Sequence, residues 1–241
     1  MNSRVVIVSK KLTIGFLAIL LLMRIFQPSP DLPVQTTTQH KVVLGLTGKT
    51  VVIDPGHGGA DPGAVVDKIR EADLNMQLAN ALKTQLESVG VKVALTRSGN
   101  QGLVPQELMT NADQGFILQQ RKGFAADQEG QLFISIHVNS NKDKTVSGGI
   151  VYYTDTFSSP LAEAIQKNIN QLSGKNWQPV NKNFSITKGN EMPSVLVEAA
   201  FITNRHDRDI LTSKPEVLVQ AIFEGIQDYA KKFMAMPEQP D

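Results

Sequence analysis

Apolar residues follow two spacings along this chain. Short runs rich in β-branched residues, bounded by Gly, Pro, Asn or Asp, fall at Thr50–Asp54, Val91–Leu95, Leu132–Ile136, Ile150–Thr154 and Ser194–Glu198, with a further β-rich stretch at Val42–Leu44. Between them the spacing turns helical. Leu74, Leu78, Ala81, Leu82 and Leu86 share one face of a helix predicted over Ala72–Val89, which Gly90 stops. Helices are also predicted over Gln114–Gln128, Pro160–Leu172 and Pro215–Phe233, and a loop over Ser98–Asn111. Strands alternating with helices predict an α/β fold: a single layered domain with a largely parallel sheet flanked by helices. In such sheets, sites form beyond the carboxyl ends of the strands.

Another kind of apolar run opens the chain. Arg4, Lys10 and Lys11 precede the run Leu12–Met23, which is the layout of an export signal. No Ala-x-Ala cleavage site follows; Arg24 interrupts the run and a Pro-rich stretch begins at Gln27. A helix over residues 12–26 would rise about 22 Å, and flanking Lys and Arg side chains can snorkel to cover the rest of a hydrocarbon core about 30 Å thick. Residues 1–26 are therefore expected to form a hydrophobic helix acting as a signal anchor, with a cleaved signal peptide as the alternative. Residues 27–40 are read as a Pro-rich, polar linker, 41–236 as the folded domain and 237–241 as a disordered tail. Basic residues ahead of the run place the rest of the chain outside the cytoplasm, in the periplasm or cell envelope, tethered to the inner membrane.

Composition narrows the chemistry. The 24 basic and 23 acidic residues among 241 give a net charge of +1, so there is no electrostatic case for nucleic acid. With no cysteine, thiolate nucleophiles and Cys-type zinc sites are excluded, and any metal must be held by His and carboxylates. Three polar residues stand where predicted strands run out: His57 after VVID, His137 after LFISI and Glu198 after SVLV. Glu71 stands where the helix near Ala72 begins. Each has a plainer reading. His137 alone could be a hydrogen-bonded core residue, Glu71 a helix N-terminal acid and Glu198 a carboxylate paired with arginine. Two His and two Glu converging on one crevice is instead an inventory for zinc, with one Glu binding and one left for proton transfer. Bound Zn²⁺ lowers the pKa of its water from 15.7 to about 7, and a free carboxylate can take the proton released.

There is no HExxH motif. The segments IDPGHGGADPGA, READLN, FISIHVNS and PSVLVEAAFITN, in that order and joined by LTR at residues 95–97 and Arg121, closely resemble the zinc-dependent N-acetylmuramoyl-L-alanine amidases, the Amidase_3 family of cell-wall hydrolases, from Thr50 to about Tyr229. The resemblance implies zinc ligands at His57, Glu71 and His137, and the catalytic glutamate at Glu198. It implies peptidoglycan as substrate, with cleavage of the amide between the lactyl group of N-acetylmuramic acid and the L-alanine of the stem peptide. Zinc-bound hydroxide would attack, with Glu198 as general base and then acid.

The chain departs from the family in places. EAAF stands where Glu-Leu-Gly-Phe or Glu-Val-Gly-Phe is more usual, and NWQPVNKNF lacks an arginine-containing pattern often seen there. Only the ten residues Val138–Ser147 separate His137 from Gly148, so no helical plug is expected over the site. Asp54 and Asp61 are candidates to hold a ligating His. Asn139 and Ser140 are read as substrate contacts or turn caps, Trp177 as a sugar platform or packing residue, His206 as a solvated loop residue and His40 as incidental.

Overall fold

The computed structural model describes residues 45–99 and 114–234. The hydrophobic leader, the linker, the stretch 42–44, most of the 98–111 loop and the C-terminal tail lie outside the described residues.

Strand β1 (Thr50–Pro55) leads into a turn and a two-stranded hairpin, β2 (Val65–Val66) and β3 (Ile69–Arg70). Helix α1 (Glu71–Ser88), β4 (Lys92–Leu95), α2 (Gln114–Asp127) and β5 (Leu132–Asn139) follow. Next come β6 (Ile150–Tyr153), a 3₁₀ turn (Thr156–Ser158), α3 (Ser159–Ser173) and β7 (Val180–Asn181). The domain closes with β8 (Ser194–Phe201), α4 (Arg205–Ser213) and α5 (Pro215–Phe233). Six strands form one sheet in the order β4-β1-β5-β8-β6-β7. β4, β1, β5 and β8 run parallel, β6 pairs antiparallel with β8, and β7 runs parallel to β6. The largely parallel α/β layering read from the sequence is what the chain adopts.

The alternation of side chains across the strands decides what faces what. On β5, Leu132, Ile134, Ile136 and Val138 join the larger core, which includes residues of α1, α3 and α5. Phe133 on the opposite face packs with Val52, Leu196 and Ala125 of α2. Because both faces are covered, these strands read as near-continuous apolar runs. The close approach of α3 and α5 depends on Gly225, where an added Cβ would stand 2.5 Å from the Cα of Ile165. Among the described residues no helix is long and apolar enough to cross a membrane.

Several boundaries differ from the sequence reading. β5 does not stop at Ile136, nor β8 at Glu198; they continue to Asn139 and Phe201. His137 and Glu198 sit within their strands, on the face of Phe133 and Leu196, while Val138 and Ala199 continue the opposite, apolar row. The β2–β3 hairpin, β7 and α4 were not anticipated. Their strands are two residues long, and α4, though nine residues, carries RHDRD in its first turns rather than an apolar run. His206 accordingly lies on a helix and not in a loop; it is exposed, as expected.

Candidate metal centre

Each candidate side chain owes its position to a different local device. His57 follows β1 in the Pro55–Gly58 turn, with a positive φ of 59°. A left-handed residue other than glycine is strained by about 1–3 kcal/mol and persists only where its surroundings hold it. Here they do. Gly58 and Asp61 exchange two backbone hydrogen bonds of 2.9 and 3.2 Å, and Arg121 Nη2 donates to the His57 carbonyl at 2.7 Å. Glu71 is the first residue of α1, delivered by the hairpin. His137 and Glu198 are paired residues in the parallel register of β5 and β8, and that register shifts just beyond His137. Such bulges re-aim side chains and are common beside active sites.

The structure brings His57, Glu71 and His137 together: one ligand atom from each lies within 4.8 Å of the others. Glu71 Oε1 is 3.0 Å from His57 Nε2 and 3.1 Å from His137 Nδ1. Ligands about 2.1 Å from a tetrahedral zinc stand roughly 3.4 Å apart, so the donor set fits a small divalent ion with little movement. The other ring nitrogen of His57, Nδ1, pairs with Asp61 Oδ2 at 2.7 Å, the carboxylate–histidine arrangement that fixes a ligand's tautomer. Of the two aspartates considered, Asp61 fills that role. Asp54 does not, because its carboxylate is fully used by Thr96, Arg121 and Ser135.

Electrostatics agree with a cation site. Burial disfavours the charged form of His57, but Glu71 and Asp61 outweigh it and raise the imidazole to about 9. Burial would raise the Glu71 carboxyl as well, yet hydrogen bonding to His137, His57 and the Ala64 amide holds it far below the usual carboxylate range. Glu198 behaves in the opposite way: burial pushes it up to about 7, and its Oε2 is buried with no hydrogen-bond partner among the described residues. A buried acceptor left without a partner is costly and calls for an explanation.

The turn beneath the site rests on two buried arginines whose structural role the sequence did not disclose. Arg121 Nη1 pairs with Asp54 at 2.9 Å and also donates to the Pro55 carbonyl. Arg97 donates to the carbonyls of Pro55, Gly56 and Ala72 at 2.8–3.0 Å. Burial lowers Arg97 to about 10. Asn75 Nδ2 donates to the Gly56 carbonyl, 3.2 Å away, and lies 3.4 Å from Glu71 Oε1. The residues 140–149 contain only turns and bends, so no helix lies between β5 and β6. Asn139 caps the following turn, its Oδ1 accepting from the Ser140 amide, and Trp177 is 40% exposed with its indole N–H on the Ser147 carbonyl.

The profile of N-acetylmuramoyl-L-alanine amidases, Amidase_3, matches residues 51–228. N-acetylmuramoyl-L-alanine amidase LytC of Bacillus subtilis (strain 168) is 34% identical over 203 residues, covering 81% of this chain and 38% of that protein. The probable cell wall amidase LytH of Staphylococcus saprophyticus is 31% identical over 192 residues, covering 76% of this chain and 59% of that one. The chain thus spans less than two thirds of the length of either relative. Among solved structures, the CwlD amidase from Clostridioides difficile, in complex with the GerS lipoprotein, superposes with a TM-score of 0.71 at 30% identity, over 76% of this chain and 99% of that chain. AmiC2 of Nostoc punctiforme gives 0.66 at 32% identity, over 76% and 97%.

Proposed function

The chain belongs to the Amidase_3 family of N-acetylmuramoyl-L-alanine amidases, and from that premise we propose that it hydrolyses peptidoglycan at the amide between the lactyl group of N-acetylmuramic acid and the L-alanine of the stem peptide. His57, Glu71 and His137 hold a zinc ion, and Glu198 is the general base and acid. One observation carries this reading: three ligand atoms converge within 4.8 Å, and a second carboxylate, Glu198, stands in register with His137 on the next strand, its buried Oε2 without a hydrogen-bond partner among the described residues. When bound, zinc supplies a Lewis acid that polarises the scissile carbonyl and acidifies an attacking water.

The chain's own residues do the rest. Asp61 holds His57 so that Nε2 faces the centre. Glu71 is fixed through its second oxygen, which accepts from the Ala64 amide at 2.9 Å. Glu198, raised to about 7 by burial, can accept a proton from water near neutral pH and pass it to the departing alanine nitrogen. The products are a lactyl carboxylate and a free amine. Peptidoglycan lies outside the cytoplasmic membrane, and the basic-then-apolar leader supports delivery there, with residues 12–26 as the anchor.

The test is product analysis on purified wall with the zinc-loaded protein. Peptide-free muramoyl lactyl groups and new alanine amino termini are expected in equal amounts. Cleavage within the stem peptide alone would make the protein a metallopeptidase instead.

A further inference from the structure

On the sheet face that carries Glu198, β6 and β7 build a shelf that the chemistry above leaves unused. Tyr152 of β6 faces the same side as Leu196, its antiparallel partner two residues below Glu198. Tyr152 and Phe184 meet edge to face at 5.2 Å. The Lys182 ammonium lies 4.6 Å from the centre of the Phe184 ring and 5.5 Å from that of Tyr152. The lysine backbone is held on both sides: its amide donates to the Tyr153 carbonyl at 2.8 Å, and its carbonyl accepts from Thr154 Oγ1 and the Phe184 amide. Yet Lys182 has no ion-pair partner among the described residues. It is also near enough to Glu198 for its charge to act on that carboxyl.

A cation resting on two aromatic faces is steered without being neutralised, because the rings attract it but carry no net charge. It stays available to an anion on the substrate. The geometry points to a carboxylate subsite at Lys182, formed with Tyr152 and Phe184, that takes an acidic residue on the peptide side of the scissile amide. Lysine suits this as a compact, strongly hydrated point charge on a flexible stem that tolerates several carboxylate positions. The subsite rests on the amidase reading, since it presumes a stem peptide leaving past Glu198.

Two small substrates test it: N-acetylmuramoyl-L-alanyl-D-glutamate with its carboxylates free, and the same compound with both converted to amides. With the zinc-loaded wild type, kcat/KM should favour the acid by about 2- to 5-fold, the upper range expected of an exposed ion pair. Added salt should shrink that preference. In Lys182→Met the ratio should fall towards one, while Lys182→Arg should keep most of it. Equal rates for both substrates with the wild type, or a preference that survives in Lys182→Met, would overturn the subsite and leave the amidase reading standing. If neither substrate nor wall polymer is cleaved at the lactyl amide, the amidase reading falls and the subsite with it.

Discussion

Glu198 and His137 stand side by side on neighbouring strands, and burial raises the Glu198 carboxyl to about 7. Glu198→Gln keeps the shape but removes the proposed proton carrier. Zinc content should be unchanged while turnover falls by about 10²–10⁴-fold, the usual weight of a general base; metal analysis and wall digestion together check this. Stability should move the other way. The raised value of Glu198 means its contribution is complete below about pH 4.5 and is lost as pH rises through about 7. With zinc removed, Glu198→Gln should therefore be more stable than wild type at pH 8, by up to about 3 kcal/mol in denaturant titrations. Gly56 makes a second residue-scale case. A Cβ there would stand 2.2 Å from Cε1 and Nε2 of His137. Gly56→Ala should swing that ring away and lose stoichiometric zinc while circular dichroism stays unchanged; full metal occupancy would show that the turn can yield instead.

At the scale of elements, Arg121 ties α2 to β1 through a buried ion pair with Asp54 and a hydrogen bond to the Pro55 carbonyl. Removing the guanidinium in Arg121→Ala strands the Asp54 carboxylate at zero exposure and frees the His57 carbonyl. The expected loss is about 3–5 kcal/mol of stability, with weaker zinc binding in the fraction that remains folded. Thermal unfolding with and without zinc separates the two effects. The same scale explains what could be read in the sequence. The long elements and the parallel order were legible because core-facing residues repeat with period 2 or 3.6, and His57, Glu71, His137 and Glu198 were legible as polar breaks in or beside those runs. The true strand ends were not, because on a sheet buried on both faces a single polar residue looks like a terminus when only one row has turned to chemistry. Nor does spacing reveal that Arg97 and Arg121 brace the turn through backbone carbonyls, since carbonyls have no letter of their own. Helix α4 was missed for another reason. Its first turns are charged, and it is held by a cap, with Asn204 accepting from the Asp207 amide, and by Asp207 accepting from the amides of Gly148 and Phe201.

For the molecule as a whole, the proposed zinc and a proton would compete at His57. His57 is raised to about 9 without an ion, so in the apoprotein its stabilising pairing is complete below pH 6.5 and is lost as pH rises through about 9. Zinc needs the neutral imidazole. Zinc binding should release about one proton per ion near pH 7, and apparent affinity should rise close to tenfold per pH unit between 7 and 9, both measurable by calorimetry in buffers of different ionisation heat. Saturating zinc at about a hundred times its dissociation constant should add about 2.7 kcal/mol to stability, an increment a chelator should abolish.

The spacing of the three donors along the chain sets an order of assembly. His57 and Glu71 are linked through one short hairpin, but the third donor is delivered by β5, which reaches them only by docking in register against β1. A chain whose β5 has not yet docked therefore offers no complete donor set. Ion capture reports that the central sheet has closed, and in refolding followed with a zinc-sensitive dye, uptake should trail the appearance of secondary structure. On the proposed function, hydrolytic competence would thereby be withheld until β5 has docked.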